Sequence, residues 1–370
     1  MNILKSINIA RRFLMHSITK NIGTSNFDQN IDPNNKIKVK RVLICRPNAR
    51  LGNLLLLTPL IQEVTATFPE CKIDLFVKGS LAPVLFKNYR NIDHVIHLPG
   101  KPFKHFIKYI QAWTALRKNN YDIVINVSKS SSSGKLSTQF ANAKYKFSGD
   151  FNEDLKLKYN DYEHMAKYPV YNFRNYLDKL GFVKNDQPIP SLNLRLSFFE
   201  IANGKKLLKK IVNNEKETIC LFTYATGNKC YSESWWEDLY QRLLIEFPNH
   251  NIIEVLPKEN VSQIGFKAPT YYSRNLRKIG ALIANTQLFI GADSGMMHLA
   301  SAVLTPTVGL FSITDQNMYQ PYNNNSIAIN TNDTTSMESK IDKINKTLFS
   351  SNNDSVAYTE LGLIVAALIS

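Results

Sequence analysis

From Arg41 onward, short apolar runs alternate with longer segments whose apolar residues recur at spacings of three and four, which predicts strands and helices in turn. RVLIC, KIDLFV, VIHL, YDIVINV and KYKFSG read as strands, with GNLLLLTPLIQEVTATF and FIKYIQAWTALRK as helices between them. Residues 151–197 interrupt the pattern: they are polar, rich in tyrosine and irregular, with helical stretches and two prolines, Pro188 and Pro190, and are expected to form an extension and then an interdomain linker. The alternation resumes with the strands TICLFTY, NIIEVL, LFIGAD and PTVGLFS and the helices WWEDLYQRLLIEF, LRKIGALIANT and SGMMHLASAVL. Residues 323–355 read as a loop and a weak helix. Such alternation implies parallel sheets covered on both faces, so the fold class is α/β, with two Rossmann-like domains at 41–197 and 198–370 and a cleft between them. In open parallel sheets ligands bind beyond the carboxyl ends of the strands.

Residues 1–40 are a separate element. Ile3, Ile7, Ala10, Leu14 and Ile18 form a stripe with Lys5, Arg11, Arg12 and Lys20 among them, followed by a polar linker. This is a basic amphipathic helix, suited either to the headgroup layer of a membrane or to packing on its own domain. The final LGLIVAALIS is too short to span a bilayer and reads as a terminal packing helix. No run approaches the roughly 18 apolar residues of a spanning helix, and the first twenty residues do not resemble a cleavable signal peptide. Cys45, Cys71, Cys220 and Cys230 form no C-x-x-C pair. A reducing, cytoplasmic compartment is expected, with access to the inner face of the cytoplasmic membrane.

Charge adds a direction. Residues 1–150 hold 23 Lys and Arg against 8 Asp and Glu, whereas the rest hold 22 of each, so the whole excess of +15 lies in the first part. Such a field attracts an anionic partner, or simply keeps the chain soluble. Nucleic acid is the less fitting anion, because no recognised module and no interleaving of aromatic and basic residues is present.

Four strand-to-helix turns carry candidate chemistry. In the first, Asp293, Ser294, Gly295 and Met296 lead from an apolar strand into a helix with His298; amides at a helix start suit a phosphate, and Asp293 suits sugar hydroxyls. The plainer alternative makes Asp293 a helix cap and His298 a core residue. In the second, Thr223, Thr226 and Lys229 offer hydroxyls and one point charge to a diphosphate, or form a solvated loop. In the third, Arg46, Asn48, Arg50, Gly52 and Asn53 place positive charge where a helix begins. In the fourth, Lys129 and Lys135 flank a serine run. No phosphate loop, dinucleotide fingerprint, metal cluster or nucleophile elbow is present.

Taken in order, these segments resemble glycosyltransferase family 9, the heptosyltransferases of lipopolysaccharide core assembly. GADSGMMHLASAVLTPTVGLFSITD is similar to the family's (D)SGxxHLAxAxxxPxVxLFGxT signature, with Ser312 where glycine is usual, and RPNARLGNLLLLTPLI is similar to RxxxxGDxLxxTPxI. Lys229 stands seven residues before Trp236, as in the family's KxWPxxxW segment, although Tyr231 replaces the first tryptophan and the proline is absent. YDIVINVSKSSSSGKLSTQFANAKYKFSG resembles a further family segment.

The resemblance implies the B-type glycosyltransferase fold, an ADP-activated heptose donor, inversion at the anomeric carbon, and no metal or other cofactor. It implies donor binding by Thr223, Thr226, Lys229, Asp293, Ser294, Gly295, Met296 and His298, with Lys229 also catalytic. An anionic glycolipid acceptor is implied on Arg46, Asn48, Arg50, Gly52, Lys129 and Lys135. Asn53 stands where the family has its general-base aspartate, and an amide cannot take a proton at neutral pH. Three readings follow, in order: another base, such as Asp150 or His94; catalysis by positioning and leaving-group stabilisation; or a chain that binds sugar nucleotides or glycans without transferring.

Overall fold

The computed structural model describes residues 25, 38–100, 104–128, 131–322, 325–332 and 336–348. The expected helix at 3–20, Lys129, the terminal LGLIVAALIS and, apart from Ser25, the TSNFDQNIDPNNK linker lie outside the described residues. The chain divides into two compact units, Met1–Pro190 and Ser191–Ser370.

In the first unit β1 (Arg41–Arg46), β2 (Lys72–Lys78), β3 (Ile92–Leu98), β4 (Tyr121–Asn126) and β5 (Ala143–Phe147) form one parallel sheet in the order β3-β2-β1-β4-β5. Its central strands bury nearly every residue, as the continuous apolar runs require. Each fully buried Leu, Ile or Phe here contributes about 1.5–3 kcal/mol. Burial pushes the Cys45 thiol up to about 12 and the Cys71 thiol up to about 11, so both are protonated core residues.

One expectation from the sequence is overturned. The long helix after β1 is two, Leu51–Leu55 and Thr58–Thr67. Pro59 has no N–H to continue the ladder and sits in the first turn of the second helix, while Thr58 Oγ1 donates to the Leu55 carbonyl at 2.7 Å. The helical stretches expected after residue 150 include the Tyr168–Lys179 helix, whose Val170, Phe173, Tyr176 and Leu177 are buried. Arg174 fastens that helix to the buried Glu63 of the Thr58–Thr67 helix through two 2.8 Å hydrogen bonds, and Tyr176 stacks on Phe147 with ring centroids 5.0 Å apart.

In the second unit β6 (Thr218–Phe222), β7 (Asn251–Val255), β8 (Thr270–Tyr271), β9 (Leu288–Ala292), β10 (Thr307–Phe311) and β11 (Ile327–Asn330) are parallel in the order β11-β10-β9-β6-β7-β8. A helix that the apolar pattern does not announce, Phe198–Val212, precedes β6. It starts at a capping box in which Ser197 and Glu200 satisfy each other's backbone N–H. β11 and a helix at 337–348 occupy the stretch read as loop and weak helix, and the helix sends Ile341, Ile344 and Leu348 into the core.

Candidate functional site

Each sheet builds outward in both directions from its first strand. β1 lies between β2 and β4, and β6 between β7 and β9. At such a switch point successive crossovers leave on opposite faces, so a crevice opens at the carboxyl ends of the two central strands. The sequence-derived candidates fall on these crevices.

In the second unit the loops after β6 and β9 meet. Lys229 closes the short 3-10 turn Gly227–Lys229, and Gly227 allows that turn with φ +66°. Lys229 Nζ donates to Asp293 Oδ2, with Asp293 only 8% exposed and Lys229 38%. The Asp293 backbone is tied to β10, since its amide donates to the Leu310 carbonyl at 2.9 Å. An ammonium has three N–H donors and this pair uses one, so a buried carboxylate aims a cation at the mouth of the crevice. Ser294 is the N-cap of the Gly295–Ala302 helix, its Oγ accepting from the Met296 amide at 3.3 Å. That amide, expected to serve a phosphate, is already held by the cap.

Thr223 also departs from expectation. Its hydroxyl, 1% exposed, donates to Glu254 Oε1 and accepts from the Gln263 amide at 3.1 Å, so its proton is spent inside the fold. Glu254 is fully buried, accepts a second bond from Ser262 Oγ at 2.6 Å, and has its carboxyl pKa raised by burial. The Thr223–Glu254–Ser262 bridge braces the loops after β6 and β7. Thr226 is exposed at the start of the 3-10 turn, and His298 is buried with its ring 6.4 Å from that of Tyr319. Behind Lys229, Tyr231 stacks on Trp235 at 4.3 Å and shares a 2.8 Å hydrogen bond with Thr331.

In the first unit Arg46 ends β1, is 6% exposed, and donates from Nη2 to Asn53 Oδ1 at 3.2 Å. Asn48 Oδ1 accepts from the Arg50 amide at 2.9 Å, leaving the Arg50 side chain exposed as the chain enters the Leu51–Leu55 helix through Gly52. Across the switch point, the buried Asn126 ends β4. It donates to the carbonyls of Ser128 at 3.1 Å and Ser148 at 2.8 Å, tying the loops after β4 and β5 together. Gly149 follows with φ +68°, where a Cβ would lie 2.4 Å from the Asn126 carbonyl oxygen. Lys135 is half-buried in the Ser132–Phe140 helix.

Asp150, next along, accepts from the Ser25 amide at 3.2 Å and from Ser25 Oγ at 2.7 Å, on the same carboxyl edge as Asn53. His94 is at the other edge. It pairs in register with Asp74 near the strand starts, beside Asp93 and Arg41, and is corrected as a substitute base on that ground.

Sequence reasoning missed Asn126 and Glu254. The only signal either leaves is a polar residue inside an apolar strand, IVIN or NIIEV. Among the described residues, Asp74, Asp93 and His94 bring three ligand atoms within 4.8 Å, but the Arg41 guanidinium already bonds both carboxylates. A surface cavity of about 710 Å³ lined by Lys205, Lys209 and Lys216 lies beside the starts of β6 and β10, away from the crevice.

Residues 270–348 match the model of glycosyltransferase family 9 (heptosyltransferase). The chain carries a glycosyltransferase family 9 domain. It is a glycosyltransferase. A lipopolysaccharide heptosyltransferase 3 of Escherichia coli is 23% identical over 295 residues, covering 75% of this chain and 85% of the relative. A lipopolysaccharide heptosyltransferase 1 of Campylobacter coli is 24% identical over 302 residues, covering 74% and 84%. Among solved structures, a family 9 glycosyltransferase from Veillonella parvula superposes with TM-score 0.65 at 17% identity, over 86% of this chain and all of its own. The E. coli ADP-heptose heptosyltransferase II gives 0.59 at 16% identity, over 85% and 99%. The two parallel-sheet units therefore have the B-type glycosyltransferase fold. The family match contains Asp293 to His298, while Lys229 and the Arg46–Asn53 turn lie outside it.

Proposed function

We propose that this chain moves heptose from ADP-heptose to an anionic lipopolysaccharide-core or related cell-envelope acceptor, with inversion and without a metal. The second unit holds the donor and the first holds the acceptor. The observation that carries this reading is the Lys229–Asp293 pair at the β6/β9 switch point, beside a helix start. The named relatives, which are lipopolysaccharide heptosyltransferases, and a solved relative described with ADP support the choice of donor.

In the reaction an acceptor hydroxyl oxygen bonds to the anomeric carbon as the bond from that carbon to the diphosphate breaks. The hydroxyl proton passes to a base and ADP departs with one more negative charge. Lys229, together with the amides of Ser294 and Gly295 at the helix start, meets that charge with dipoles and a cation already in place. Arg46, Arg50 and Lys135 attract the anionic acceptor. We assign proton transfer to Asp150, because Asn53 is an amide held by Arg46 and His94 is at the opposite edge. The setting is the cytoplasmic face of the membrane; among the described residues no helix is long and apolar enough to cross one.

The test is titration calorimetry with ADP. Lys229→Ala should weaken binding by about 1–3 kcal/mol, the loss of a charge-assisted hydrogen bond. Unchanged affinity places the diphosphate elsewhere.

A further inference from the structure

We propose that the outward face of the Phe106–Lys118 helix docks on an anionic lipid bilayer. Ala112 and Leu116 face the core and are buried, and Tyr109 and Trp113 pack against the same cluster, so this side of the helix packs on its unit. A second apolar stripe faces away: Phe106 is 61% exposed, Ile107 72% and Ile110 45%. Lone exposed hydrophobics are ordinary, but three within the first two turns make a patch. Phe140 extends it, 40% exposed, with its ring 5.8 Å from that of Trp113 and 5.1 Å from the Arg117 guanidinium.

Charge identifies the occupant. Lys104, Lys108, Arg117 and Lys118 are exposed around the stripe, and the helix contains no acid. Residues 94–149 hold nine Lys and Arg and a single acid, Asp122. That carboxylate is turned to the amino edge of the sheet, where it accepts from the amides of Lys40 at 2.7 Å and Arg41 at 2.9 Å. Apolar side chains flanked by cations, with no acid among the described residues of the helix itself, match the boundary between lipid headgroups and acyl chains. Because the helix follows β3, its exposed start lies at the carboxyl edge of the sheet, the edge of Arg46 and Asn53. Docking there brings a lipid-anchored acceptor to the side of the unit that carries those residues. The inference concerns a surface separate from the donor crevice and does not require that transfer occur.

The experiment uses the full chain with vesicles of phosphatidylcholine containing about one-third phosphatidylglycerol, and with phosphatidylcholine alone. Amide hydrogen exchange over residues 104–111 should slow on the anionic vesicles and not on the neutral ones. The combined change Phe106→Ser, Ile107→Ser and Ile110→Ser should weaken sedimentation with anionic vesicles tenfold or more. Amide protection of the β1–β5 sheet should match that of the unmodified chain, which shows that the substituted unit is folded, and unchanged ADP affinity separates this test from that of the donor site. Undiminished vesicle binding by the variant overturns the proposal. So does equal protection on neutral vesicles, or protection already complete without vesicles, which would mean that the chain's own 3–20 segment covers the face. Self-association abolished by the variant, with vesicle binding unaffected, would assign the face to a second copy. If the variant does not fold, the exchange measurement on the unmodified chain decides.

Discussion

Glu200→Gln removes one charge from the clamp that fixes the start of the second unit. Arg277, 5% exposed, donates to Glu200 at 2.6 and 2.8 Å and to the carbonyls of Leu194 at 3.2 Å and Arg195 at 3.0 Å. The Arg277 hydrogen bonds, helped by those of Ser197 against some opposing desolvation, lower the Glu200 carboxyl from its ordinary 4.5 to about 2. A shift of that size corresponds to about 3.4 kcal/mol, and with the carboxylate open to water on one side we take about 2 kcal/mol. The folded pKa lies below the unfolded one, so this stability is fully present above pH 4.5 and is lost as pH falls toward 2. Roughly half or more should be gone by about pH 3.

Urea unfolding followed by tryptophan fluorescence reads this out, because Trp235 and Trp236 both lie in the same unit as the clamp. At pH 7 the variant's midpoint should fall by about 1 M, from about 2 kcal/mol over a slope of about 2 kcal/mol/M. The gap between variant and unmodified chain should narrow steadily from about pH 5 to pH 3. Arg277→Met should cost more, about 3–5 kcal/mol, because it leaves a carboxylate and two carbonyls without their donor. A gap that is the same at every pH, or no gap at pH 7, refutes the assignment of the clamp.

Further outcomes concern the first unit. Asn53→Asp introduces a carboxylate against Arg46, which holds its pKa down, so turnover should rise far less than the about 10² to 10⁴ of a well-matched base, while Asp150→Asn should lower single-turnover rates at least tenfold. Equal rates for both variants and the unmodified chain mean that neither residue touches the reaction. Gly149→Ala should destabilise by more than about 2 kcal/mol in thermal unfolding, from a positive φ and a 2.4 Å approach to the Asn126 carbonyl; an unchanged melting temperature would contradict the geometry of that turn.

The two sheets were legible because fully buried parallel strands leave uninterrupted apolar runs such as RVLIC and LFIGA, whatever surrounds them. The Tyr168–Lys179 helix was legible only as a helical stretch without bounds: Val170, Phe173 and Leu177 keep helical spacing, but the buried face is diluted by tyrosines and by the polar Asn172 and Arg174. The Phe198–Val212 helix starts from a capping box, a signal of four residues, and exposes both Phe198 and Phe199, so its apolar pattern misleads about which side packs. At the site, the turns carrying Lys229 and Asp293 stood out by residue type at strand ends, and the switch-point topology explains why turns 64 residues apart meet. Which hydroxyls face outward was not legible. Thr223 looks identical to an open donor until the buried Glu254 is seen to accept its hydrogen bond.

Transfer itself is the most direct test: the purified full chain, ADP-heptose and a heptose-deficient lipopolysaccharide core acceptor, with chelator present, read by mass spectrometry of the acceptor and by release of ADP. The expected result is one added heptose of inverted anomeric configuration, ADP in equal amount, and loss of both products with Lys229→Ala. Tight ADP-heptose binding with no product on any core acceptor, or product formation undiminished by Lys229→Ala, would contradict it.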